Sequence, residues 1–234
     1  MPGRLAKLSF MYALLLWLCL LPSPALSSVP DAKAIGAKLE ARYHGAQTLQ
    51  ATFLERYSEG GQLLRTEAGN AYFRRPGKMR WEYESPEKNI FLVDGKTAWF
   101  YVPADHTVTR APAKQSSDWR TPVALLAGEM KLSRICARVE SASSEPARTE
   151  GDAVLYCPLR GEGAKSPATD EIYLEVAPNG DLARVLFRER GGIEVEFRFT
   201  GWQRNPALPD SFFRFTVPLG VAIVDGDSSA QPTP

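Results

Sequence analysis

Between residues 73 and 110 the chain reverses direction every few residues, and this confines what it can fold into. Met79, Trp81 and Tyr83 alternate with Lys78, Arg80 and Glu82. In a strand, side chains two apart share a face, so this run has a greasy side and a charged side. Before it, Arg74-Arg75-Pro76-Gly77 makes a corner, because Pro76 lacks a donor and biases Arg75 toward extended geometry. After it, Ser85-Pro86 breaks the strand and Asp94-Gly95 signals a hairpin. Extended runs at 49–54, 63–73, 78–83, 89–93, 96–102 and 107–110 follow one another with connections too short for a crossover, so they pair antiparallel. The runs 90–93 and 98–102 are apolar on both sides, which predicts a sheet covered on both faces there.

The flanking sequence supplies covers. Residues 31–43 read as a helix whose Ile35, Leu39 and Tyr43 make one stripe beside Ala32; Gly36 weakens it somewhat. Thr121-Pro122 reads as an N-cap and first helical residue. They open a short apolar helix over 122–130 that contains Leu125. Strands resume at 135–139, 153–159, 171–176, 182–188 and 193–200, with a last extended piece at 213–218. Gly69 is a candidate bulge. The segments 141–151 and 161–167 read as polar, mobile loops, and 225–234 as a disordered tail. The fold class is mainly β with helices. About eleven short antiparallel strands should curl into a closed or partly open barrel.

Arg4 and Lys7 precede an uncharged, largely apolar run over 8–21, which ends near Ala25-Leu26-Ser27. This is the layout of a cleaved secretory signal peptide (1–27), and the run is shorter than the ~20 residues that span a bilayer. Residues 28–224 then form a single domain. Cleavage removes two of the 28 basic residues and leaves 26 against 27 acidic ones, a net charge of −1. Such a chain makes no broad electrostatic offer to nucleic acid. Cys136 and Cys157 remain after cleavage. In an exported protein an even pair reads as a disulfide; the alternative is two separately buried thiols.

Catalytic patterns are missing from the sequence. His44 and His106 belong to no metal-ligand motif, and there is no nucleophile elbow, P-loop or dinucleotide fingerprint. No cofactor and no metal is expected. Glu194 and Glu196 lie on the polar side of a cleanly alternating strand and read as solvated surface. The conspicuous supply is aromatic, with rings falling mostly on strands. An ordinary barrel core accounts for them, and so does a hydrophobic ligand cavity.

Arg75-Pro76 leading to Arg80-Trp81-Glu82-Tyr83, then Leu92-Val93-Asp94-Gly95-Lys96-Thr97-Ala98-Trp99-Phe100-Tyr101, resembles the periplasmic outer-membrane lipoprotein carrier family, LolA. Phe213-Arg214-Phe215-Thr216-Val217-Pro218 resembles the family's C-terminal signature, and Thr121-Pro122 its middle helix. The resemblance implies an incomplete, unclosed antiparallel β-barrel with helices covering a hydrophobic cavity for lipoprotein acyl chains. It places a lid latch on Arg75, which would hydrogen-bond helix backbone; otherwise Arg75 is a surface arginine at a strand corner. The cavity residues it suggests are Leu39, Tyr43, Met79, Trp81, Tyr83, Phe91, Trp99, Tyr101 and Leu125. It implies a monomeric, non-enzymatic periplasmic carrier. Its partners would be an inner-membrane ABC-type lipoprotein release complex and an outer-membrane lipoprotein acceptor. A half-barrel sensor that binds mislocalised lipoproteins and signals to a membrane partner is the alternative. A lipid hydrolase is disfavoured by the missing nucleophile motif.

Overall fold

The computed structural model describes residues 31–113, 131–158, 171–189 and 191–226. The signal-peptide reading over 1–27, Leu125 with its helix at 122–130, and the loop at 161–167 lie outside the described residues. Helix α1 (Ala32–Tyr43) opens the described chain. The strands β1 (Thr48–Glu59), β2 (Gln62–Arg74), β3 (Lys78–Ser85), β4 (Ile90–Val93), β5 (Thr97–Val102) and β6 (Thr107–Pro112) follow. A single-turn helix α2 (Leu132–Ile135) precedes β7 (Glu140–Ser141), β8 (Ala153–Pro158), β9 (Glu171–Val176), β10 (Leu182–Arg188) and β11 (Ile193–Arg204). A 3-10 turn at Asp210–Phe213 and strand β12 (Ala222–Asp225) end it.

All twelve strands of the described residues join one sheet in the order β12-β6-β5-β4-β3-β2-β1-β11-β10-β9-β8-β7. The two ends of that order do not pair, so the barrel is unclosed. The sheet nonetheless curls strongly. β3 and β11 stand three places apart, about 14 Å on a flat sheet. Yet the rings of Trp81 and Phe197 lie 5.3 Å apart. Inward side chains converge across a concave face and build one core, running from Phe53, Phe73 and Trp81 to Phe187, Phe197 and Phe199. Bulges assist the curl. One falls between Ala68 and Gly69 on β2, where a side chain on Gly69 would come 1.9 Å from the Glu82 carbonyl. Another lies on β11, where Gly201 takes φ +65° and the register against β1 shifts between Gln50 and Thr52.

Helix α1 starts on Asp31, whose Oδ1 accepts from the Lys33 N–H at 3.2 Å. Its buried residues are Ala32, Gly36, Leu39 and Tyr43. Gly36 is a point of close approach rather than a simple weakness. A Cβ there would lie 3.2 Å from Leu132 Cδ1, so the absent side chain admits α2. Cys136, just after α2, is joined to Cys157 on β8.

Several sequence expectations need correction. The strand expected at 135–139 is replaced by α2 and an extended link, because Leu132 turns in to meet α1 and the disulfide holds the following residue. The piece at 213–218 is no strand. It belongs to a strap that crosses the outer face of the sheet and returns as β12, which pairs with β6 in parallel. Asp225, expected in a free tail, closes that strand and pairs with Arg110 at 2.5 Å. The charged side of β3, with the end of β2 beside it, is likewise covered. Arg80 Nη1 donates to the Phe212 carbonyl at 3.2 Å, Arg74 Nη1 to the Leu208 carbonyl at 2.8 Å, and Lys78 pairs with Asp210.

The 141–151 segment is anchored, not loose, and Glu196 is not solvated. Arg184, only 2% exposed, binds Glu175 at 2.7 Å, Glu145 at 2.9 Å and Glu196 at 3.3 Å. Glu175 Oε1 also accepts from the Arg148 and Thr149 N–H groups, at 2.8 and 3.1 Å. A clean polar alternation cannot reveal this, because the loop that buries Glu196 lies about 50 residues earlier in the chain.

Candidate functional site

The inner face is where sequence-selected residues meet. Register decides it: Trp81 opposes Ala71 on one side and Phe91 on the other, while Met79 opposes Phe73 and Val93. In antiparallel pairs, directly opposed residues point the same way. Met79, Trp81, Tyr83 and Phe91 therefore line one wall with Phe53 and Phe73, all at most 3% exposed. Phe53 lies edge-on to both Trp81 and Tyr83, at 4.8 and 5.0 Å. Leu39 and Tyr43 reach the same cluster from α1.

Trp99 and Tyr101 do not join it. Phe100 opposes Phe91 and Ala98 opposes Val93, so the inner positions of β5 are 98 and 100. The strand period sends 99 and 101 outward. There they flank Phe215 of the strap, with ring centroids at 5.4 and 5.6 Å. β5 is apolar on both sides, so its composition could not disclose which parity faces in. Trp99 also donates from Nε1 to Asp94 at 3.3 Å. Burial alone would raise the Asp94 carboxyl, but N–H donors from Thr97 and Lys96, with Trp99 and the nearby Lys78 charge, bring it below the usual range.

The second wall comes from β9, β10 and β11, with Phe197, Phe199 and Trp202 prominent. Phe197 and Phe199 were legible as the inward half of an alternating strand. Trp202 breaks that parity, and only the Gly201 bulge turns it inward. The sequence reading also missed Glu55. It continues the inward series Leu49, Ala51, Phe53 on β1 and is 2% exposed. Tyr83 donates its hydroxyl to Glu55 Oε2 at 2.6 Å. The parity of a carboxylate among apolar residues was the available signal.

Helix α1 is tied down at its C-terminal end. Tyr43 Oη accepts from the Leu182 N–H at 2.9 Å, and its ring meets Trp202 at 5.2 Å. Burial pushes the Tyr43 phenol far above its ordinary value, so it stays a neutral hydroxyl. Arg42 pairs with Asp181 at 2.5 Å, and Lys38 reaches the Pro178 carbonyl. The last helical carbonyls carry the negative end of the helix dipole and lack intrahelical donors. Two arginines supply them. Arg204 Nη1 donates to the Arg42 carbonyl at 3.2 Å, and Arg75 Nη2 donates to the Tyr43 carbonyl at 3.1 Å. Arg75 is itself placed by its backbone N–H, which donates to the Gln47 carbonyl at 2.9 Å. The corner at 74–77 thus delivers a guanidinium from the β2 end to the helix that covers the inner face.

An apolar concave face, covered by a helix held through a few polar contacts, is suited to holding hydrocarbon. The chain is also similar to known proteins. The family described as outer membrane lipoprotein carrier protein LolA matches residues 44–216. An outer-membrane lipoprotein carrier protein of Chromobacterium violaceum is 32% identical over 206 residues, which is 86% of this chain and 92% of that one. Its counterpart in Nitrosomonas europaea is 30% identical over 217 residues, 92% and 97% of the two chains. One in Aliivibrio salmonicida is 29% identical over 217 residues, 92% and 99%.

Proposed function

Since the chain belongs to the outer membrane lipoprotein carrier family LolA, we propose that it receives lipoprotein acyl chains against its inner face and ferries them across the periplasm. It takes cargo from an inner-membrane ABC-type release complex and delivers it to an outer-membrane acceptor. Export through a cleaved signal peptide at 1–27 puts it in that compartment. The observation that carries this reading is the continuous aromatic wall, from Phe53 and Trp81 to Phe197, lying under α1.

The energetics require a carrier. Keeping an acyl chain from water is worth ~0.8 kcal/mol per methylene, so two or three chains of about 15 methylenes amount to tens of kcal/mol. A lipoprotein does not cross water alone at that cost. The carrier must also let go, which favours an adaptable wall and a cover of modest stability. Arg75 is the latch of that cover. Its charged hydrogen bond to the end of α1 is worth about 1.5–3 kcal/mol, enough to bias a two-state cover without locking it. The role needs no bond-making chemistry.

Incubating the purified mature protein with lipoprotein-loaded inner-membrane vesicles and the release complex tests this. A soluble one-to-one complex of carrier and lipoprotein is the expected result. Lipoprotein that stays in the vesicle pellet overturns the reading.

A further inference from the structure

The inner wall is not uniformly apolar, and its exceptions are arranged. Trp81 is fully buried, yet its indole Nε1 has no hydrogen-bond partner among the described residues. Its neighbours are rings: Phe53 at 4.8 Å, Phe197 at 5.3 Å, Phe73 at 5.9 Å and Phe199 at 6.1 Å. Aromatic faces are weak acceptors. Buried polar groups are nearly always paired, and one left unmade in hydrocarbon is costly. A purely apolar side chain would carry no such cost if the wall met only methylenes.

Two residues along the same face of β3, Tyr83 donates to the buried Glu55. Glu55 in turn opposes Glu67 across β1 and β2, and Glu67 pairs with Arg65 at 2.8 Å. The wall therefore runs from an indole donor in its aromatic centre to a polar group at one side, with the Phe53 ring touching both Trp81 and Tyr83.

We propose that Trp81 Nε1–H reads the ester or amide carbonyl at the head of an acyl chain, and that the Tyr83–Glu55 pair marks the side of the wall where the polar head lies. This rests on the acyl-carrier reading above and adds to it. The site recognises an acyl linkage, not hydrocarbon alone. The carbonyl oxygen supplies the acceptor that the indole lacks, and the linkage then sets how deep the chains sit. A net hydrogen bond of about 1 kcal/mol corresponds to roughly a fivefold preference.

The test uses two probes of equal chain length, 1-hexadecanoylglycerol (ester) and 1-O-hexadecylglycerol (ether), each displacing anilinonaphthalene sulfonate from the purified protein. The wild type should bind the ester about fivefold more tightly. Trp81→Phe should make the two equal, whatever affinity they then share. Equal binding by the wild type, or a preference that survives in Trp81→Phe, overturns the carbonyl site and leaves the acyl-carrier reading standing. Failure of both probes to bind overturns both. A measurement on the wild type alone guards against a misfolded variant. The ester carbonyl infrared stretch of the bound probe should fall below its value in dry hydrocarbon, and an unshifted stretch overturns the proposal.

Discussion

At the residue scale, Arg75 and Arg204 reach the same helix end from different strands, and their contexts separate their roles. Arg204 is exposed, so its bond to the Arg42 carbonyl competes with water. Arg75 is half-buried beside the Tyr43 carbonyl, where a charged hydrogen bond counts for more. Arg75→Leu is expected to keep the fold, because β2 and β3 are held by their own ladder and α1 keeps its Tyr43, Arg42 and Lys38 anchors. Losing a bond of about 1.5 kcal/mol should speed release roughly tenfold. The measurement is transfer of a bound fluorescent fatty acid to lipid vesicles by stopped flow. An unchanged rate removes the latch role.

At the element scale, α2 and β8 form the seat on which the first part of α1 rests. Leu132 packs against Gly36, and its N–H donates to Glu40 at 2.7 Å. The Cys136–Cys157 bond fastens this seat, with a sequence separation of 21. The Ala137 N–H also donates to the Pro158 carbonyl at 2.8 Å. A closed loop of this size is worth about 3 kcal/mol in the chain-entropy picture. Replacing both cysteines by serine should lower the unfolding free energy by about that amount, read from the urea midpoint with little change in slope. A loss below roughly 0.5 kcal/mol would mean that packing at Gly36, not the bond, holds the seat.

At the scale of the whole molecule, the outer face carries the ionic load. Burial pushes the Glu145 carboxyl up, but hydrogen bonds from Arg184 and Arg188 and the nearby Arg148 charge outweigh it and hold the group below its ordinary 4.5. A carboxyl depressed on folding stabilises the native state above its unfolded pKa, and that contribution is lost as pH falls through the folded value. Asp152 opposes this, since burial and Glu175 raise it. Acidification from pH 7 toward pH 4 and below should therefore lower the urea midpoint. Glu145→Gln should cost about 1–3 kcal/mol at pH 7 and flatten that dependence. A variant whose pH dependence matches the wild type would place the acid-sensitive group elsewhere.

What the sequence determined by itself was local. Met79-Trp81-Tyr83, Asp94-Gly95 and the Ile193–Thr200 alternation needed only the strand period and turn chemistry, so strands, hairpins and α1 were legible along most of the chain. The corner at Arg75-Pro76 was legible for the same reason. The tertiary structure decided which parity of a doubly apolar strand faces inward, and it moved Trp99 and Tyr101 to the strap side. It also decided that Trp202 turns in at a bulge, that Glu196 is buried under a loop, and that 213–218 crosses the sheet instead of joining it. Each of these depends on which distant segment arrives to cover a face. The strand period assigns side chains to two faces, but only packing between residues far apart in sequence chooses which face is inside.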